Sequence, residues 1–165
     1  MLYTHNGNFE QPINIISMVK RVAKGVNSGP VPCLLAEQNV IQVPQQKDHT
    51  IILSTNSICA KAIPLLTCAA VIYASANPND KPVAYIQHIL SGLLSEQDIA
   101  NSLSALETKN EKDVCIIYAH PNASDSGYSE AIHLLEQRFD PNKIVEIEKL
   151  TACSFGINNL GMIGV

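Results

Sequence analysis

Residues 65–90, LLTCAAVIYASANPNDKPVAYIQHIL, contain the strongest strand and turn signals of this chain. Two apolar runs, Leu65–Ser75 and Pro82–Leu90, have the length and the β-branched and aromatic content of buried strands. The residues between them, 76–81, combine Asn, Pro and Asp, which favour turns. The sequence therefore predicts an antiparallel β-hairpin.

This hairpin brings a cysteine and a histidine together. A turn centred near Pro78 with a symmetrical register places Cys68 directly opposite His88, and such pairs have Cβ atoms about 4.5–5.5 Å apart. At that distance an imidazole can hydrogen-bond a thiol and stabilise the thiolate, which is the nucleophilic form. A register shifted by one residue would pair Cys68 with Ile89 and send His88 to the other face. The sequence leaves both registers open.

The remaining segments alternate between helical and strand-like patterns. Ser95 can cap a helix, and Asp98 three residues later is a loose capping-box match. We expect helices at 13–26, 96–109 and 128–139, strands at 50–54, 114–119 and 144–150, an ambiguous segment at 34–43 and a short last strand within 160–165. The predicted fold class is α+β (mixed α/β), with largely antiparallel or mixed sheets flanked by helices. We expect residues 1–165 to form a single domain.

Composition excludes several classes of protein. Hydrophobic residues make up 46% of the chain and charged residues 16%, which excludes general disorder. The formal charge is −4 and the basic residues are scattered, which argues against a nucleic-acid partner. No apolar stretch reaches the roughly 18 residues that span a bilayer, and the N-terminus does not have the pattern of a signal peptide. We therefore expect a cytoplasmic protein with no membrane span and no Sec-type export signal.

Cysteine usage agrees with a reducing compartment. The count of five is odd and the spacing is wide, which argues against a disulfide framework: Cys33, Cys59, Cys68, Cys115 and Cys153. Free cysteines in apolar contexts are usually small buried hydrophobes, and Cys115 fits that description best. Cys59 stays a weaker alternative nucleophile, Cys33 has no evident partner, and the role of Cys153 is open.

Common site motifs are missing from the sequence. There is no Cys-x-x-Cys or His-Glu-x-x-His, so no spacing supports a metal site, and the usual serine-hydrolase and nucleotide-binding glycine patterns are absent. His120, at the end of a predicted strand and near Asp125, is either a catalytic histidine or a loop residue, and the second interpretation is favoured.

The hairpin resembles the catalytic hairpin of CheD-type glutamine deamidases. The matching residues are Thr67–Tyr73 (TCAAVIY) and Val83–Leu90 (VAYIQHIL), beside that family's Ser-Cys-Val-Ala-Val-type strand and Ala-His-hydrophobic segment. The helix, strand and Gly-bearing end after residue 128, including Phe155–Gly161, are similar in outline to the family's last elements. Toxin deamidases related to cytotoxic necrotizing factor share the Cys-His arrangement, so a bacterial effector delivered into a host cell is a second setting.

The resemblance implies a mechanism and a fold. It implies a CheD-like β-sandwich with outer helices in which Cys68 attacks a glutamine side-chain amide of a partner protein. His88 would lower the thiol pKa and protonate the departing ammonia, and backbone N–H groups would hold the oxyanion, without metal or organic cofactor. Thr67 and Gln87 are candidate supporting residues. The threonine that assists catalysis in the family falls on Ala62 here, so the third catalytic group is not assigned.

Two other functions remain as alternatives. The same fold could serve as a non-catalytic protein-binding module in which Cys68 and His88 are core residues. A cysteine protease or acyltransferase would use the same Cys-His pair, because all three chemistries pass through a thioester.

Overall fold

The computed structural model describes residues 13–15, 39–53, 58–90, 93–121, 126–148, 150 and 153–165. Its elements in these ranges are β1 (Ile13–Asn14), β2 (Val40–Val43), β3 (Asp48–Ile52), β4 (Cys59–Ala62), β5 (Cys68–Ser75), β6 (Val83–Leu90), α1 (Glu96–Leu106), β7 (Val114–Ala119), α2 (Ser126–Arg138), β8 (Ile144–Ile147), β9 (Phe155–Asn158) and β10 (Met162–Gly164). Short 3₁₀ turns, Glu111–Asp113 and Pro141–Lys143, precede β7 and β8.

The strands form two five-stranded mixed sheets within the described ranges. Sheet 1 has the order β1-β10-β9-β4-β2, and sheet 2 has the order β3-β6-β5-β7-β8. The pairs β2–β4 and β7–β8 are parallel, whereas the others are antiparallel. The chain between the parallel strands β2 and β4 passes through β3 of the other sheet, so the sheets are interwoven.

The two sheets pack face to face and the helices cover the far side of sheet 2. One core cluster joins Ala60 and Phe155 of sheet 1 to a face of β5 that we call the core face, which carries Cys68, Ala70, Ile72 and Ala74. A second cluster joins the opposite face of β5, here called the helix face, to the apolar sides of α1 and α2: its β5 members are Ala69, Val71 and Tyr73. The α+β class with sheets flanked by helices is confirmed.

The central hairpin is present, but its register differs from the symmetrical one. β5 and β6 pair with Ala70 opposite His88 and Cys68 opposite Leu90, so the direct pairing of Cys68 with His88 is wrong. The reversal is centred on Asn79 because Asn77 organises the turn. The Asn77 side-chain oxygen accepts a hydrogen bond from the Asn79 N–H at 3.0 Å, and its carbonyl accepts one from Asp80 at 3.0 Å.

Most of the predicted elements agree with the structure at both ends to within a few residues. Helix α1 begins after Ser95, whose hydroxyl and the Asp98 carboxylate form the reciprocal capping box, as predicted. The predicted helix 13–26 is wrong at its start, where residues 13–14 pair with β10 as a strand. Residues 16–26, Cys33, the segment 34–38 and Asp125 lie outside the described residues. Among the described residues, neither helix combines the length and apolarity that crossing a membrane requires.

Candidate functional site

Cys68 is the first residue of β5 and lies at the rim of the sheet sandwich. Its side chain belongs to the core face and is 4% exposed. The two residues before it, Leu66 and Thr67, are exposed. A thiol at this position is shielded by the sheets but has solvent-facing residues immediately before it in the chain.

His88 shares the core face with Cys68 as its diagonal neighbour. His88 opposes Ala70, and Cys68 lies two residues before Ala70 on β5. Diagonal neighbours on one face have a spacing of about 7–8 Å, with the Cβ atoms somewhat closer, which is within reach of a long side chain. The two-residue shift therefore preserves the shared face, which a one-residue shift would have destroyed.

Three atoms of His88 are hydrogen-bonded to residues 43–47, the segment that connects sheet 1 to sheet 2. Its Nδ1 lies 2.7 Å from the Val43 carbonyl oxygen at the end of β2. In the turn that follows, the Gln46 N–H donates to the His88 carbonyl at 2.7 Å, and the His88 N–H donates to the Lys47 carbonyl at 3.0 Å. The imidazole is fully buried and its orientation is fixed.

These contacts assign the His88 tautomer. A carbonyl oxygen only accepts, so Nδ1 carries a proton, and in the neutral ring Nε2 is then the nitrogen with the lone pair. Among the described residues Nε2 has no hydrogen-bond partner, although it is buried. An unsatisfied buried polar atom costs about 1–3 kcal/mol, so a fold that keeps one requires an explanation. A basic nitrogen held without a partner on the face of a cysteine is the arrangement of a general base.

The surroundings of Cys68 favour the protonated form of its thiol. Burial raises its pKa, and hydrogen bonds from the side chain and backbone of Thr67 lower it by less. The expected lowering of the thiol pKa by His88 stays a prediction, because burial has the largest effect on the Cys68 thiol in the free protein. Of the two candidate supporting residues, Thr67 is the one that acts on the thiol, and it directly precedes β5.

Gln87 does not join this group. It opposes Val71, so its side chain lies on the helix face. There its Oε1 accepts from the Tyr73 hydroxyl at 2.7 Å, and its Nε2 donates to the Asp98 carbonyl at 2.8 Å. A polar cleft of about 90 Å³ adjoins it, lined by Gln46, Lys47, Asp48, Gln87, His88, Ile89, Asp98 and Asn101. Cys68 is not among these residues.

His120 takes part in a buried cluster that the sequence did not reveal. It follows β7, is fully buried, and its Nε2 lies 2.7 Å from Oε2 of Glu146. Its ring stacks on Tyr128 with centroids 4.1 Å apart, and the Tyr128 hydroxyl donates to the Thr67 carbonyl at 3.0 Å. His120 thus lies in a connection, as predicted, but not on the surface. A histidine ending a buried strand beside a Glu-bearing strand is the signal that could have indicated this.

The other candidate positions have no hydrogen bond to Cys68 or His88 among those of the described residues. Cys59 and Cys115 are buried and Cys153 is exposed. Ala62, at the position of the family's assisting threonine, ends β4 and packs in the core, where a methyl group offers no polar chemistry. Within the described part of the chain, no three His, Cys, Asp or Glu side chains converge to form a metal site.

Comparisons with known proteins add no family. The chain matches no protein-family model and no curated protein.

Proposed function

We propose that this chain is a protein-glutamine deamidase, an amidohydrolase that uses Cys68 as nucleophile and His88 as general base and acid. One observation carries the proposal: the buried His88 has Nδ1 fixed by the Val43 carbonyl and an unpartnered Nε2, among the described residues, on the face that bears Cys68. The main-chain carbonyl takes the role of the missing third group. It orients the ring and stabilises the imidazolium, as a carboxylate does in other triads.

The proposed reaction has two steps, the formation of a thioester on Cys68 with release of ammonia and the hydrolysis of that thioester. As the substrate amide enters, His88 Nε2 takes the proton of the Cys68 thiol, and the sulfur attacks the glutamine side-chain carbon. The tetrahedral oxyanion is held by backbone N–H groups, the C–N bond breaks, and Nε2 returns the proton to the departing ammonia. Water, deprotonated by Nε2, then cleaves the thioester and leaves glutamate with the thiol restored. The substrate is thus a partner protein with an accessible glutamine.

Access to the thiol favours a side chain over an extended backbone. Cys68 is almost fully buried at the first position of an internal strand, with β6 and β7 on either side. A glutamine side chain can enter such a site end-on, whereas a protease must also accommodate the main chain on both sides of the scissile bond. The small residues Ala69 and Ala70 beside Cys68 agree with a narrow entry.

The second candidate is a non-catalytic binding module. The low exposure of Cys68 and its raised pKa favour it, because a buried protonated thiol is the usual state of a structural cysteine. In this alternative the unpartnered Nε2 of His88 would have no use. That unexplained cost is why we favour the enzyme.

The test is conversion of glutamine to glutamate in water enriched in oxygen-18. The protein is incubated with bacterial and with human cell extracts, and peptides are searched for labelled glutamate at positions encoded as glutamine. We expect labelled sites with released ammonia in the wild type and none with Cys68→Ser or His88→Gln. The exposed-histidine variant His133→Gln serves as the matched control and should behave as wild type. Label at new backbone carboxyl termini would identify a protease, and no label in either extract would favour the binding module.

A further inference from the structure

Tyr128 connects helix α2 to the residue that precedes Cys68. Its side chain is 2% exposed within the helix-face core, and its hydroxyl donates to the Thr67 carbonyl at 3.0 Å. The side chain and the backbone of Thr67 also lower the pKa of the Cys68 thiol through hydrogen bonding, against the larger effect of burial. A residue 61 positions along the chain from Thr67 therefore contacts the peptide that holds the thiol.

The Tyr128 ring is itself held in place. It stacks on His120 with centroids 4.1 Å apart and planes 20° from parallel. His120 is fixed by Glu146 at 2.7 Å and by backbone hydrogen bonds to Ile147 and Leu150, both at 3.1 Å. The hydroxyl of Tyr128 thus has little freedom to leave the Thr67 carbonyl.

We propose that Tyr128 is a positioning residue for the nucleophile, whose hydroxyl, supported by the His120–Glu146 pair, fixes the peptide between Thr67 and Cys68. The proposal rests on the proposed function of Cys68. A trans peptide is planar and its C=O and N–H point in opposite directions. Tethering the Thr67 carbonyl toward α2 consequently directs the Cys68 N–H away from α2. In the proposed mechanism that N–H is one of the backbone donors that hold the oxyanion at Cys68.

Two reactions of the same thiol separate this role from simple structural support. Acylation by an ester develops an oxyanion and depends on correctly placed N–H donors. Alkylation by iodoacetamide is a displacement at carbon that forms no oxyanion. A loosened site would expose Cys68 and speed alkylation, whereas a misplaced peptide would slow acylation selectively.

The experiment compares Tyr128→Phe with Tyr73→Phe in the full chain. Each variant removes one buried tyrosine hydroxyl, but the Tyr73 hydroxyl bonds to Gln87, away from Thr67. Acylation by p-nitrophenyl acetate and alkylation by iodoacetamide are followed on the Cys68 peptide by mass spectrometry. We expect Tyr128→Phe to slow acylation by about threefold to tenfold, the loss of one hydrogen bond, without slowing alkylation. Tyr73→Phe should leave the ratio of the two rates unchanged.

Equal ratios in wild type, Tyr128→Phe and Tyr73→Phe would overturn the proposal. If Tyr128→Phe unfolds, Glu146→Gln supplies the second readout, because it weakens the support of His120 while leaving Tyr128 intact. Glu146→Gln should also lower the ratio of the acylation rate to the alkylation rate, by a smaller factor than Tyr128→Phe. An unchanged ratio in Glu146→Gln would overturn the proposal. His88→Gln separates the two claims. If Cys68 is acylated at the wild-type rate in His88→Gln but slowly in Tyr128→Phe, the deamidase mechanism is contradicted and the positioning role stays intact.

Discussion

The nitrogen atoms of His88 differ in their surroundings, and that difference is the chief residue-scale finding. Nδ1 donates to the Val43 carbonyl, while Nε2 is buried without a partner among the described residues. No sequence pattern could have indicated Val43, because the group it contributes is a backbone carbonyl that every residue has. The Val43 carbonyl lies close to His88 because residues 43–47 connect the two sheets. The path of that connection follows from the way the sheets pack. The Cys-His pair could be proposed from sequence, but the carbonyl that binds His88 Nδ1 could not.

Replacing His88 with leucine should separate stability from activity. The substitution removes the unsatisfied nitrogen, a gain of about 1–3 kcal/mol. It loses the Nδ1 hydrogen bond at a cost of about 0.5–1.5 kcal/mol, because the Val43 carbonyl still accepts from the Ile63 N–H at 3.4 Å. We expect the free energy of unfolding in urea to stay constant or rise by about 1 kcal/mol while glutamine conversion disappears. A clear loss of stability would show that Nε2 is satisfied in solution and that His88 is a structural residue.

The reactivity of Cys68 should depend on pH in the direction set by its burial. Because burial raises the pKa of the thiol above its ordinary value, the thiolate fraction at neutral pH is small. The alkylation rate of Cys68 in the folded free protein should therefore keep rising above about pH 8.5, where an unperturbed thiol is half ionised. The urea-unfolded chain is the matched control and should reach half of its maximum rate at lower pH. A folded-state midpoint below the unfolded one would indicate a preformed thiolate–imidazolium pair.

Among the secondary-structure elements, the hairpin of β5 and β6 could be predicted from the sequence, but its register could not. The apolar runs and the intervening Asn, Pro and Asp were sufficient to predict two antiparallel strands. The register depended on hydrogen bonds within the turn, where Asn77 binds Asn79 and Asp80 and centres the reversal one residue later than Pro78. A one-residue displacement of the centre moves the pairing by two residues, which preserves the face of each side chain. For that reason Cys68 and His88 still share a face.

Strand β9 requires glycine at position 156. A Cβ built there would lie 2.0 Å from the Ala60 carbonyl oxygen and 2.8 Å from the Lys61 Cα, both backbone atoms of β4. Since backbone cannot rotate away, Gly156→Ala should destabilise the fold by about 3 kcal/mol or more, the upper range for overpacking. Chemical denaturation measures this, with Leu160→Ala as control, because Leu160 is 54% exposed and its loss should cost under about 0.5 kcal/mol. A cost below about 1 kcal/mol for Gly156→Ala would contradict the close approach of β9 and β4.

In the whole molecule, the two faces of sheet 2 pack against different partners. The core face joins the sheets and carries Cys68 and His88, whereas the helix face packs against α1 and α2 and carries Tyr128's contacts. The fold class followed from composition and alternating patterns, because burial of apolar faces dictates layers. The passage of the chain between the two sheets could not be predicted in this way. Pairs such as β2 with β4 join segments whose pairing leaves no pattern in a single sequence.

If Cys68 and His88 react as a pair, the reactivity of the thiol depends on the imidazole. The measurement is the rate of iodoacetamide modification of Cys68, resolved by peptide mass spectrometry at neutral pH, in wild type, His88→Gln and His133→Gln. General-base assistance is worth about 10²–10⁴ in catalysed reactions, and we predict that His88→Gln slows Cys68 by at least about tenfold. His133→Gln should match wild type. Equal rates in all three proteins would contradict the pairing of Cys68 with His88 and favour a structural cysteine in a binding module.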